Sequence, residues 1–82
     1  MDIIRFGDRT SSNGQVISAS TTMRYEGRFV ARLGDEVSCS RHPDVRPNRI
    51  IEGDPNVTDN GISIARHGHR AQCGCTLISS LM

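Results

Sequence analysis

Ala65-Arg66-His67-Gly68-His69-Arg70-Ala71-Gln72-Cys73-Gly74-Cys75 is the stretch whose reading decides the fold. It brings two imidazoles and two thiols into eleven residues, and its opening has already occurred upstream as Ala31-Arg32-Leu33-Gly34-Asp35. It reads both as a repeat unit and as half of a metal site. Laying residues 17–39 over residues 51–73 without a gap, an offset of 34, pairs identical residues at six of 23 positions: Ile17/Ile51, Gly27/Gly61, Ala31/Ala65, Arg32/Arg66, Gly34/Gly68 and Cys39/Cys73. A shorter echo, Arg5-Phe6-Gly7-Asp8, opens the chain, and in its frame Ser12, Cys39 and Cys73 each lie five residues beyond the glycine. Self-similarity at such a period marks a supersecondary unit used more than once.

Outward from the repeat, no segment carries a sustained apolar period of 3.6, so no helix is predicted. Short apolar runs separated by turn residues predict strands at Ile3–Phe6, Gln15–Ser18, Thr21–Tyr25, Arg28–Leu33, Arg49–Glu52, Ile62–Ala65 and Thr76–Ile78. Turns are predicted at residues 10–14, Glu26-Gly27, Gly53-Asp54-Pro55 and Asp59-Asn60-Gly61. Cys39–Asn48, with Pro43, Pro47 and His42, is the one irregular excursion. The pattern is that of an all-β fold.

Eighty-two residues, 35% of them hydrophobic and with no Trp, make one expected domain (residues 1–82) whose small core calls for an additional stabiliser. The ten basic residues are all arginine and stand among nine acidic ones, for a net charge of +1, so no basic stripe tracks a nucleic-acid backbone. Neither a signal-peptide run nor a membrane span is visible, which places assembly in the cytoplasm. In a reducing compartment an odd set of three cysteines is better used on a metal than in disulfides. Cys39 with His42 (C-x-x-H) and His69 with Cys73 (H-x-x-x-C) are the chelating pairs, giving Cys39, His42, His69 and Cys73 as a Cys2His2 zinc set. Cys75, two residues from Cys73 and on its face, is an alternative to Cys39, which has a competing use as a small buried hydrophobe. His67 is expected to be a surface or packing residue. No metalloprotease, deaminase, hydrolase-elbow or phosphate-loop motif is present, so an enzyme is not expected. A zinc-stabilised nucleic-acid-binding module is the alternative class, and near-neutral charge with three aromatics argues against it.

Gly7-Asp8-Arg9-Thr10, Gly27 to Asp35, Cys39-Ser40-Arg41-His42, Ile51 to Pro55, Asn60 to His69 and Cys73 to Ser79 together resemble the PAAR-repeat proteins of bacterial type VI secretion machines. The resemblance implies a small three-sided β cone with zinc near its tip, seated by its broad base on a trimeric VgrG-type spike, one chain per trimer. It implies a structural role: sharpening the spike for membrane puncture, with transient contact to the target membrane, attachment of effector proteins, and export by the secretion machine itself. With four residues after Ile78, no toxin domain is expected. His42, His69 and Cys73 match the family's ligand positions. Ser12 stands where members commonly carry a histidine, so Cys39 is expected as the fourth ligand, with Cys75 or water as the alternatives.

Overall fold

Three backbone hydrogen bonds close a ring at the centre of the molecule. Ile4 N–H donates to the Ala65 carbonyl (3.0 Å), Ala65 N–H to that of Ala31 (3.0 Å), and Ala31 N–H to that of Ile4 (2.8 Å). The computed structural model describes residues 2–81. The three ring residues are fully buried, and antiparallel bridges run around them in the same sense: Arg5 to Val30, Arg32 to Ile64 and Arg66 to Ile3. The chain is therefore three units about a pseudo-threefold axis, separated by 27 residues (5 to 32) and then 34 (32 to 66).

Each unit begins with one tight turn: Arg5-Phe6-Gly7-Asp8, Arg32-Leu33-Gly34-Asp35 and Arg66-His67-Gly68-His69. The glycine adopts φ of 86°, 93° and 90°, the left-handed conformation that the third position of a type II turn demands. The last residue's N–H returns to the arginine carbonyl (3.0, 2.9 and 3.1 Å). Its side chain accepts from the arginine N–H: Asp8 Oδ2 at 2.8 Å, Asp35 Oδ2 at 2.7 Å, His69 Nδ1 at 3.0 Å. Each unit then runs outward and returns beside its neighbour. A second cycle joins Ser11 N–H to Thr76, Ser38 N–H to Gln15 and Gln72 N–H to Arg49, at 2.8–2.9 Å.

The period-2 alternation of a strand turns one side chain in two toward the axis. Ile4, Ala31 and Ala65, then Val16, Ile50 and Leu77, then Val37 and Ala71 with Cys75 fill the interior as one cluster. Thr10 stands buried at the place equivalent to Val37 and Ala71. A second cluster, Ile3, Val30 and Ile64, is covered by Met23, Tyr25 and Val57 from two hairpins.

Six short strands are formed among the described residues: β1 (Arg9–Thr10), β2 (Arg24–Tyr25), β3 (Arg28–Phe29), β4 (Asp54–Asp59), β5 (Ile62–Ile64) and β6 (Leu77–Ile78). They pair antiparallel as three two-stranded sheets, β1 with β6, β2 with β3 and β4 with β5, and no helix occurs among the described residues. The all-β, three-sided architecture read from the sequence is the one observed. Several predicted strands are single bridges, because each edge passes to a different neighbour after one or two residues. The predicted turn at Gly53-Asp54-Pro55 is not formed: Asp54 begins β4 opposite Ile64. The reasons are local. Pro55 lies on the exposed hairpin, where its missing N–H costs no ladder bond, a register shift absorbs the residues between Asp54 and Thr58, and Gly53 packs against Ser63, which would lie 2.7 Å from a Cβ.

Polar contacts fasten the hairpins to the ring. Asp59, buried at the end of β4, accepts from Ser20 and Thr22 hydroxyls and lies 3.6 Å from Arg32 Nη1. Those bonds, Ser20 first, hold its carboxyl below the usual range. Arg66 bridges Asp2 (2.6 Å) and Asp54 (2.8 Å).

Gly14 lies hard against the second unit, since a Cβ there would stand 1.8 Å from the Ser38 carbonyl oxygen. Gly14→Ala is expected to lower the denaturation midpoint far more than Gly61→Ala. At Gly61 a Cβ meets open space and the cost is the left-handed backbone alone (φ 82°), about 1–2 kcal/mol. Equal midpoints for the two variants would contradict this packing.

Candidate metal centre

Beyond the interior layers the same alternation continues outward, so Val37 is followed on its face by Cys39, and Ala71 by Cys73; the chain then turns, and Cys75 returns opposite Ala71, whose N–H donates to its carbonyl (3.0 Å). The equivalent position in the first unit is Ser12. The two cysteine-bearing segments converge, and the sulfurs of Cys39, Cys73 and Cys75 all lie within 4.8 Å of one another. Cys73 Sγ is 3.1 Å from Cys75 Sγ. The turn after Cys39 carries His42, whose N–H bonds back to the Cys39 carbonyl and whose Nδ1 is 3.3 Å from Cys39 Sγ.

Of the residues expected as ligands, Cys39 and Cys73 are thus brought to one place, and His42 stands beside Cys39 alone, outside the group of mutually close sulfurs. His69 stands outside the thiol group, with Nδ1 accepting the Arg66 N–H. Cys75, read from the sequence as an alternative, joins the thiols. Asn48 had no sequence signal beyond its place after Pro47. Its buried amide grips Cys73 twice, Nδ2 to Sγ at 3.1 Å and Oδ1 from the backbone N–H at 3.2 Å, and so fixes the thiol's direction. His67 accepts the Ser79 N–H at Nδ1 (3.1 Å) and takes no part.

The electrostatics differ sharply across a few ångströms. The hydrogen bond from His42, helped by Cys73 and the neighbouring backbone, pulls Cys39 down to about 6, so it is a thiolate at neutral pH. Burial, reinforced by the adjoining Cys73, pushes Cys75 up to about 12. Three thiols so placed could hold a metal ion, since a divalent cation neutralises several thiolates at once.

The donor chemistry fits a structural metal. Tetrahedral zinc with bonds of about 2.3 Å to sulfur and 2.0 Å to nitrogen spaces its donors by about 3.6–3.8 Å. The three sulfurs, none more than 4.8 Å from another, reach that spacing by movements of about 1 Å or less. A small all-β protein built on a pseudo-threefold ring, with a thiol cluster able to hold a metal ion, is the class that fold and site define. The PAAR motif family model matches residues 6–79, most of the chain, and the protein belongs to that family, whose members are structural spike-tip components of type VI secretion machines. No curated protein matches the chain.

Two outcomes follow from the geometry. In metal-free protein, iodoacetamide is expected to modify Cys39 first, its rate rising through a midpoint near pH 6, while Cys75 resists through about pH 10. Site-resolved mass spectrometry reads both, and equal rates would refute the contrast. Asn48→Ala is expected to weaken metal binding about 10–100-fold, as loss of a supporting hydrogen-bond partner does, measured by competition with a chromophoric chelator.

Proposed function

We propose that residues 1–82 act as one PAAR-like domain that caps a trimeric VgrG-type spike, one chain per trimer, and presents a zinc-bound point for membrane puncture. The observation that carries this reading is the pseudo-threefold ring of Ile4, Ala31 and Ala65 with its three bridges. A single chain with three similar faces can make the same contact with each of three identical subunits, whereas an asymmetric monomer satisfies one and leaves two. Zinc, held at the thiol cluster of Cys39, Cys73 and Cys75 with His42 beside Cys39, supplies the tip with stability that so small a core does not. The role is structural, without catalysis and without nucleic acid.

Docking belongs to the end opposite the thiols, where units begin and the hairpins attach. The apolar side chains of Ile3, Ile4, Val30, Ile64 and Ala65 are buried within the chain itself. The spike is therefore met by unpaired strand edges and by exposed groups such as Ile62 on β5. Effector proteins attach to the same assembly, and contact with the target membrane is transient. Among the described residues no helix is long and apolar enough to cross a membrane. The chain is assembled on the spike in the cytoplasm and leaves with it.

Mixed with the spike trimer encoded in the same genome, the protein is expected to form a complex of one chain per trimer, read by size-exclusion chromatography with light scattering. Ile62→Asp, at an exposed position, is expected to weaken that complex at least tenfold while the circular dichroism spectrum stays unchanged. Three chains per trimer, or no complex, would overturn the proposal.

A further inference from the structure

The pseudo-threefold relation fixes what each unit offers at the tip, and the three offers are unequal. Hydrogen bonds pair Thr10 N–H with Gly14 O, Val37 N–H with Asn48 O and Ala71 N–H with Cys75 O. Gly14, Asn48 and Cys75 are therefore equivalent, as are Ser12, Cys39 and Cys73. The first unit presents Ser12 and Gly14. Gly14 has no side chain and no space for one, with the Ser38 carbonyl against it. The second presents Cys39 and, on its longer excursion, His42, while its Asn48 is occupied in holding Cys73. The third presents two thiols, Cys73 and Cys75, 3.1 Å apart.

His69 has a different equivalence. It occupies the turn position of Asp8 and Asp35, and all three side chains accept the N–H of the arginine three residues earlier. In the two units that carry aspartate there the side chain closes the turn, and His69 Nδ1 does the same at 3.0 Å.

We infer that the tip metal is held by three thiolates and one imidazole, from Cys39, Cys73, Cys75 and His42, and that His69 is a turn cap. The assignment rests on the metal reading proposed above and names its ligands. Cys75 makes good the donor that the first unit lacks: the third unit supplies two ligands, the second supplies two, and the first none. Three sulfurs in four make the site soft, so it selects a thiophilic divalent cation, zinc or cadmium, over magnesium, calcium or manganese.

X-ray absorption of the full chain loaded with zinc counts the ligands directly. Three sulfurs at about 2.3 Å and one nitrogen are expected for the wild-type protein, a count that depends on no variant folding. Cys75→Ser is expected to reduce the sulfur shell to two. His69→Asn, whose amide oxygen can accept the Arg66 N–H but is a poor zinc ligand, is expected to keep the zinc and the full shell. Two sulfurs with two nitrogens in the wild type, an unchanged shell in Cys75→Ser, or loss of a nitrogen in His69→Asn would each overturn the assignment and leave a metal-bound tip standing. A folded chain that takes up no zinc would overturn the assignment and the metal reading together.

Discussion

The hydrogen-bonded ring of Ile4, Ala31 and Ala65 is the constraint on which the rest depends. Three backbones can approach one axis closely only if the side chains there are small or share the space, and the ring satisfies this with two alanines and one isoleucine, all fully buried. Because each N–H is answered by the next unit, no unit completes its own bonding. With one unit displaced, its neighbours would keep a donor and an acceptor without partners, at about 1–3 kcal/mol for each group that stays buried, so the units depend on one another. The glycine turns serve the same end. They reverse the chain within four residues, which lets strands of two or three residues return along a neighbour.

Symmetry at the ring and asymmetry at the tip answer different demands. The ring repeats because packing about an axis rewards repetition. At the tip the repetition lapses into Ser12, Cys39 and Cys73, with a ten-residue excursion in the second unit only (Cys39–Asn48). One ion has four places for donors and the axis has three units, so some departure from threefold order is unavoidable. The low-lying Cys39 thiol beside His42 and the buried Cys75 thiol are the chemical trace of that departure.

Much of this was legible in the residues. The offset of 34 and the Arg5-Phe6-Gly7-Asp8 echo disclosed three units, because a type II turn leaves its glycine in the sequence wherever it recurs. The all-β class followed from spacing alone. Strand extents did not, since a bridge that changes partner after one residue looks the same in sequence as a strand. β4 was hidden by Gly53 and Pro55, residues that signal a turn unless a facing strand accommodates them, as β5 does. At the tip, the convergence of Cys39 with Cys73 was legible from the chelating spacings. The offset of 34 already set His69 over Asp35, but that the two side chains cap the same turn was not legible, because histidine and aspartate share an acceptor atom but no sequence likeness. Asn48 was silent for a similar reason: its partner Cys73 lies 25 residues away.

The account makes the metal a clamp on the tip and the backbone ring an independent anchor. Hydrogen–deuterium exchange of the zinc-loaded protein, before and after a chelator, separates the two. Removal of the ion should open the amides of Val37, Ser38, Ala71, Gln72 and Cys73 by tenfold or more, while Ile4, Ala31 and Ala65 stay protected. Exchange that rises at the ring as much as at the tip, or that does not change anywhere, would contradict it.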